Sequence, residues 1–293
     1  MGAAPRELSE FAPAKVNLTL HVLGRRPDGY HEIDSLVAFA DAGDRLTLVP
    51  DAPLALDVVG PTAAAAGQEA ENLVLKAARA LAERVPGLRL GRFLLDKQLP
   101  VAAGLGGGSS DAAAALRLLA RHNDLPLDEA RLHAAARATG ADVPVCLDPR
   151  ARIMRGIGEI LSDPIELPQL PAVLVNPGAA VPTKDVFTAL RAPALAGPAE
   201  PDDFIAINTD AASLLSILSA RRNDLEIPAV RIQPVIADVL MALQKSPGCL
   251  LARMSGSGAT CFGLYGSAGA AEHAAQHMQK SHAGWWVRAT TLR

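Results

Sequence analysis

The chain has 293 residues, a formal net charge of −3, 49% hydrophobic and 20% charged residues. That apolar share is enough for a real core and excludes intrinsic disorder. The charge balance excludes nucleic acid as the main partner, although a local basic pocket for a small phosphate ligand is compatible with it. The length allows two compact domains or one large one.

The opening segment MGAAPRELSEFAP carries Arg6, Glu7 and Glu10 and lacks the apolar stretch of a signal peptide. No uncharged apolar run is long enough to span a bilayer. Cys146, Cys249 and Cys261 are odd in number, sit among apolar neighbours and lack metal-ligand spacing. Buried free thiols in a reducing compartment are expected, and with them a soluble cytoplasmic protein.

Residues 14–22 alternate, with Val16, Leu18, Leu20 and Val22 on one face and Lys15, Asn17, Thr19 and His21 on the other. Period two predicts a half-buried strand. A turn follows at Arg26-Pro27-Asp28-Gly29. SLVAFA (35–40), DRLTLVP (44–50) and LALDVVG (54–60) predict three separate short strands. A helix is predicted from Asn72 to Arg84 with a Pro86-Gly87 stop, then a strand in RLGRFLLDK. The glycine-rich run Pro100 to Ser110 leads into an Ala/Leu-rich helix. A second helix, LDEARLHAAARAT, ends at Gly140, and VPVCL after Asp142 predicts a short strand. Residues 156–171 read as loop, PAVLVNP as a buried strand, and 192–203 as an exposed Pro/Ala-rich loop. Two helices follow, at 205–222 and 234–245. The tail predicts strand, strand, helix, strand, which suits helices on one side of a sheet in an α+β fold. A soft boundary falls near residue 155, separating 1–155 from 156–293.

The loudest chemical feature is Gly104, Leu105, Gly106, Gly107, Gly108, Ser109 and Ser110. Unhindered backbone N–H groups at a helix N-terminus favour an anion, through hydrogen bonding and the helix dipole together. No Lys follows the loop, and Ser109 stands where GxGxxG needs its third glycine, so neither the P-loop nor the dinucleotide fingerprint applies. The bland alternative is a turn whose serines cap the helix. Asp111 reads as a first-turn dipole partner. Lys15 is either a charge stabiliser in a cleft or a solvated strand-end lysine, and strand evidence alone favours the latter. Asp142 is equally a placed general base or a turn-forming acid. Ser255-Gly256-Ser257-Gly258 is a tight hairpin or a close approach to a ligand. Asp28-Gly29-Tyr30-His31 puts an aromatic and an imidazole where a nucleobase can stack, or on a hairpin surface. Arg150, Arg152 and Arg155 read as a solvated edge, and Trp285-Trp286 as strand or interface filler. His273 and His277 have zinc-like spacing, but Ala274 stands where HExxH needs Glu.

Three segments occur in order: Ala12-Pro13-Ala14-Lys15-Val16-Asn17-Leu18, Pro100 to Ser110, and Met254-Ser255-Gly256-Ser257-Gly258-Ala259. Together they resemble the motifs of the GHMP kinase superfamily. APAKVNLTLHVLGRRPDGYHEIDSLV, GLGGGSSDAAA, TGADVPV and GIGEIL resemble most closely its branch acting on a cytidine diphosphate-linked methylerythritol. The resemblance spans most of the chain. It implies a two-domain α+β architecture, a ribosomal protein S5-like N-terminal domain binding ATP and a ferredoxin-like C-terminal domain. It implies transfer of the γ-phosphate of ATP, with Mg²⁺, to the 2-hydroxyl of that substrate, in the non-mevalonate route to isoprenoid precursors. Lys15 and Asp142 would be the catalytic pair. Pro100 and Gly104 to Ser110 would hold the ATP phosphates, with Asn72 and Lys97 on the nucleotide side. Asn17, Tyr30, His31, Phe187, Gly256 and Gly258 would hold the second substrate, as a monomer or homodimer with no nucleic acid or membrane partner. Ser109 and Ser110 are the guesses for the metal. Where some relatives carry an aromatic, this chain has Ser35-Leu36-Val37-Ala38, so aliphatic contact would replace one stack. Ala102-Ala103 likewise stand where some relatives have glycines. The rivals are a homoserine- or mevalonate-type kinase, against which the DGYH segment argues, and a silent nucleotide-binding module, against which the presence of both Lys15 and Asp142 argues.

Overall fold

The computed structural model describes residues 7–66, 71–195, 197 and 210–293. The segment 1–6, residues 196 and 198–203 of the expected loop and residues 205–209 of the helix expected at 205–222 lie outside them. The first elements are β1 (Leu8–Asn17), β2 (His21–Arg25), β3 (His31–Pro50), β4 (Ala55–Val59), α1 (Leu73–Ala82), β5 (Gly91–Asp96), α2 (Gly107–His122), α3 (Ala130–Thr139) and α4 (Val143–Leu147). They are followed by β6 (Arg152–Gly156), β7 (Ile160–Leu161), β8 (Leu170–Asn176), α5 (Thr183–Leu190), α6 (Ala211–Ser219), α7 (Glu226–Ile232) and α8 (Val235–Lys245). The chain ends with β9 (Cys249–Met254), β10 (Cys261–Tyr265), α9 (Ala268–Ser281) and β11 (Trp286–Leu292). Among the described residues no helix is long and apolar enough to cross a membrane.

Two compact units divide the chain. One comprises residues 1–14, 43–101 and 106–149, the other 15–42, 102–105 and 150–293. Residues 15–42 group with the later unit because β1 and β3 each contribute to both.

In the first unit β4 runs parallel to β5, and β5 pairs antiparallel with β3 from Arg45↔Asp96 to Pro50↔Gly91. Asn72 caps α1 by accepting from Val74 N at 3.0 Å. Residues 110–120 of α2 are all buried, as expected of a helix packed on every side. The one cation in that run, Arg117, is satisfied: it donates to Cys146 O at 2.7 Å, Phe11 O at 2.9 Å and Glu10 Oε2 at 3.1 Å, which offsets the cost of burying it.

Three local expectations change here. VPVCL is the helix α4, not a strand. Pro144 stands in its first turn, where a missing N–H costs nothing, and a short apolar run alone does not distinguish the two. SLVAFA and DRLTLVP are one continuous strand, β3. Gly43 does not turn the chain between them; a Cβ there would lie 2.4 Å from Ala12 O, so the glycine permits close backbone approach. Residues 14–22 are not one half-buried strand. β1 ends at Asn17, and the polar face is buried, with Lys15 4%, Asn17 3% and Thr19 0% exposed.

In the second unit β8, intervening helices, β9, β10, α9 and β11 make a βαββαβ arrangement with sheet order β11-β8-β10-β9, every neighbouring pair antiparallel. Val173, Val175, Met254, Cys261 and Val287 form one buried cluster with Ile236, Val239 and Leu243 of α8 and Ala271, Ala274, Ala275 and Met278 of α9. Both helices thus cover one face, as the tail pattern predicts. The passage read as loop contains β7, which pairs with β6, itself paired with β3 from Ile33↔Gly156 to Val37↔Arg152. Arg152 and Arg155 are therefore not a solvated edge. Arg152 donates to Ser162 O at 2.7 Å, and Arg155 Nε lies 3.2 Å from Asp34, which is 0% exposed. The helices α5 and α7 were not expected. Of the free cysteines, Cys249 is half-buried rather than buried. Trp286 lies in β11, and Trp285 stacks on His282.

Candidate active site

In the second unit, a polar lattice surrounds the end of β1. Lys15 Nζ donates to Asn17 Oδ1 at 3.1 Å, Asn17 Nδ2 to Ser35 Oγ at 2.7 Å, and Ser35 Oγ to Thr19 O at 2.5 Å. Lys15 N donates to Leu105 O at 2.8 Å. The solvated-lysine reading fails because this ammonium is buried. Ser35, in the stretch expected to provide aliphatic contact, is instead part of the polar lattice that orients Asn17.

The turn after β9 joins the same lattice. Ser255 Oγ accepts from Asn17 N at 3.1 Å and donates to Gly104 O at 2.8 Å. Thr260 N donates to Ala103 O at 3.1 Å. Gly256 and Gly258 are left-handed, at φ +55° and +88°, and the turn is both the hairpin between β9 and β10 and a close approach to Gly104. Asn223 braces it from behind. Its Nδ2 donates to Met254 O and Gly256 O, each at 2.8 Å, and its Oδ1 accepts from Leu225 N at 2.9 Å. Nothing around Asn223 in the sequence marks it.

Gly104 has φ +75°, and a Cβ there would lie 2.3 Å from Ser255 O. At Gly108 a Cβ would meet only Leu73 Cδ1, at 3.5 Å. Gly104→Ala is expected to cost about 1–3 kcal/mol of stability by overpacking, whereas Gly108→Ala stays near neutral. Thermal and denaturant unfolding of the two variants checks this; equal stabilities would remove the Gly104 contact as a constraint.

In the first unit, Gly106 is the left-handed N-cap of α2 at φ +60°. The first helical bond runs from Ser110 N to Gly106 O at 2.9 Å, so the amides of Gly107, Gly108 and Ser109 precede it and are the donors a helix start offers to an anion. Gly108 is exposed, Gly107 and Ser109 half-buried. Pro100 is half-buried ahead of this run. Ser110 is fully buried and donates to Pro13 O at 2.7 Å, so its hydroxyl ties the helix to β1. Asn72 uses its Oδ1 as the α1 cap. Lys97 Nζ lies 2.5 Å from Asp44 Oδ2 and 2.6 Å from Asp111 Oδ2, buried rather than reaching over the loop. Asp111 is accordingly an ion-pair partner inside the fold. Asp44 is missed by sequence reading because it shows there only as the first residue of the predicted strand DRLTLVP.

Asp142 is half-buried at the N-cap position of α4, and its carboxylate does not cap that helix. Asp142 belongs to the first unit and Lys15 to the second.

The DGYH segment is the hairpin joining β2 and β3. Gly29 N donates to Arg26 O at 3.0 Å, Arg26 N to Tyr30 O at 2.7 Å and Tyr30 N to Asp28 Oδ1 at 3.0 Å. Tyr30 is 60% exposed. His31 stacks on Phe187 of α5, ring centroids 4.8 Å apart and planes 29° from parallel. Burial, and next the Arg25 charge, lower the His31 imidazole below its usual range, so it is neutral at pH 7.

Two family models match this chain: GHMP kinases N terminal domain over residues 72–148, and GHMP kinases C terminal over 206–284. A 4-diphosphocytidyl-2-C-methyl-D-erythritol kinase of Methylobacterium radiotolerans is 62% identical, over 98% of this chain and 99% of that one. One of Xanthobacter autotrophicus is 60% identical, over 96% and 98%. Among solved structures, a 4-(cytidine 5'-diphospho)-2C-methyl-D-erythritol kinase is similar at 38% identity and TM-score 0.77, covering 97% of this chain and 99% of its own. A homoserine kinase of Cytophaga hutchinsonii, 21% identical with TM-score 0.70 over 99% and 96%, shares the fold.

Proposed function

The chain belongs to the GHMP kinases and, within them, to the 4-diphosphocytidyl-2-C-methyl-D-erythritol kinases, and from that premise we propose that it transfers the γ-phosphate of ATP to the 2-hydroxyl of 4-diphosphocytidyl-2-C-methyl-D-erythritol, with Asp142 as base and Lys15 as charge stabiliser. The observation that carries the substrate assignment is the His31–Phe187 stack beside the exposed Tyr30. Aromatic faces suit a nucleobase, and neither homoserine nor mevalonate has one. Neutral His31 can donate one ring hydrogen bond and accept another, as recognition of a cytosine edge requires.

An alcohol is a poor nucleophile at neutral pH. In our reading Asp142 accepts the hydroxyl proton as oxygen bonds to the γ-phosphorus and the bond to the β-phosphate oxygen breaks, releasing ADP. Lys15 offsets charge developing on the transferring group. The amides of Gly107, Gly108 and Ser109 hold the phosphates. Asn17, oriented by Ser35 and Lys15, faces the methylerythritol portion. Gly256 and Gly258 line the same substrate through their backbone.

Magnesium enters with ATP as part of the substrate. Among the described residues no group of three His, Cys, Asp or Glu side chains could cage a metal, and the Ser110 hydroxyl is engaged with Pro13 O. Ser109 fits an ion that keeps most of its ligands from phosphate and water. When bound, the ion supplies charge neutralisation at the β- and γ-phosphates.

The direct test is incubation with ATP, Mg²⁺ and the cytidine diphosphate-linked alcohol, followed by mass analysis. One added phosphoryl group is expected. ADP release with homoserine or mevalonate, but none with the cytidine substrate, would overturn the assignment.

A further inference from the structure

The turn between β9 and β10 holds a donor that no acceptor among the described residues uses. Ser255-Gly256-Ser257-Gly258 is closed by Gly258 N donating to Ser255 O at 3.0 Å, and Ser255 N donates to Thr260 O at 2.9 Å. Ser257 Oγ is paired with Thr183 Oγ1 at 2.8 Å. Ser257 is 8% exposed, yet among the described residues its backbone N–H donates to none. Buried amides are rarely left without an acceptor, because an unpaired one is costly. Such a donor is a place where a ligand oxygen completes the structure.

Asn223 decides where that amide points. In a trans peptide the C=O and N–H lie on opposite sides of the chain. Asn223 Nδ2 holds the oxygen of the Gly256–Ser257 peptide at 2.8 Å, so the Ser257 N–H is directed away from Asn223. The side-chain amide of Asn223 cannot turn over. Its Nδ2 also donates to Met254 O at 2.8 Å and its Oδ1 accepts from Leu225 N at 2.9 Å, and the flipped amide would set an oxygen against two carbonyls. Its backbone is anchored as well. Leu20 N donates to Arg222 O at 3.1 Å, Asp224 N to Leu20 O at 2.8 Å and Val22 N to Asp224 Oδ2 at 2.9 Å. Glu226 Oε2 accepts from Met254 N at 2.8 Å. Residues 222–226 thus grip the glycine turn on one side and the start of β2 on the other. A Cβ on Gly256 would lie 3.5 Å from Asn17 Oδ1, so the turn adjoins the side chain that, in the reading above, faces the methylerythritol portion.

We propose that the Ser257 amide donates a hydrogen bond to an oxygen of the cytidine diphosphate-linked alcohol, and that Asn223 is the positioning residue that presents this amide by holding the Gly256 carbonyl. The inference rests on the reading of this turn as part of the second-substrate site. It assigns the contribution of the turn to one backbone donor. The serine hydroxyl is engaged with Thr183, so the amide is what Ser257 offers. The bond is made to the acceptor molecule and not to the transferring phosphoryl, so it serves binding rather than turnover.

The test is NMR of the full chain carrying isotopically labelled serine, with the Ser257 amide resonance assigned by its loss in Ser257→Ala. On addition of 4-diphosphocytidyl-2-C-methyl-D-erythritol without ATP, the Ser257 amide proton is expected to move downfield and to exchange more slowly with water. A resonance unmoved at saturation overturns the inference, a readout needing no change at position 223. Asn223→Ala removes the bond to Gly256 O. It is expected to raise KM for the cytidine substrate about three- to tenfold, the range that one hydrogen bond supplies, with kcat and KM for ATP unchanged and the downfield movement of Ser257 lost. A fall in kcat with both KM values raised and a lowered melting temperature would make Asn223 a residue of the fold alone and overturn its assignment. Failure of wild type to bind the cytidine substrate would remove the second-substrate reading as well, whereas binding with an unmoved Ser257 amide removes this inference alone.

Discussion

Asp142→Asn is expected to fold as the wild type and to lose about 10²–10⁴-fold in kcat, the range that a positioned general base supplies, with ATP binding little changed. Asparagine keeps the shape of the side chain and removes its ability to accept a proton. The carboxylate does not cap α4, so the helix start does not depend on it. Single-turnover transfer measured beside nucleotide affinity separates chemistry from binding. Near wild-type turnover would take Asp142 out of the mechanism. A parallel loss of ATP affinity would move it to the nucleotide.

Lys15→Met should show the second large effect, about 10²–10³-fold in kcat, as for loss of one group that stabilises transition-state charge. Methionine has similar length and no charge, and position 15 is 4% exposed. Burying an ammonium is costly, so an apolar replacement is often tolerated. Here it leaves Asn17 Oδ1 without the 3.1 Å donor from Lys15, a loss of about 1 kcal/mol. The variant should thus stay folded while turnover collapses. Thermal unfolding and steady-state kinetics on one preparation decide it. A large fall in melting temperature with proportionate loss of activity would mean that Lys15 serves the fold, and retained turnover would remove it from the chemistry.

Much of the architecture was readable from periodicity and punctuation. The glycine-to-alanine transition announces the start of α2, Pro86-Gly87 the stop after α1, and the tail its strand, strand, helix, strand order. These features depend on backbone preferences and on neighbours one to four residues away. The errors share one cause. Lys15 looked solvated because alternation reports two faces without saying what covers them. VPVCL looked like a strand because full burial erases the period that separates strand from helix. SLVAFA and DRLTLVP looked like separate strands because nothing local shows that Gly43 lies against Ala12 and Asp44 reaches Lys97.

The candidate site divides in the same way. The primary structure alone specified the glycine-rich helix start and the DGYH hairpin, because glycine conformation and short-range hydrogen bonds are local properties, and it specified family membership through ordered motifs. Only folding decided that Ser255 holds Asn17 and Gly104 together, that Asn223 braces the turn and that two distant acids share Lys97. Each of those depends on desolvation and on partners up to 238 positions apart. The strength of a polar group inside a protein is set by what surrounds it in space, which no spacing along the chain encodes.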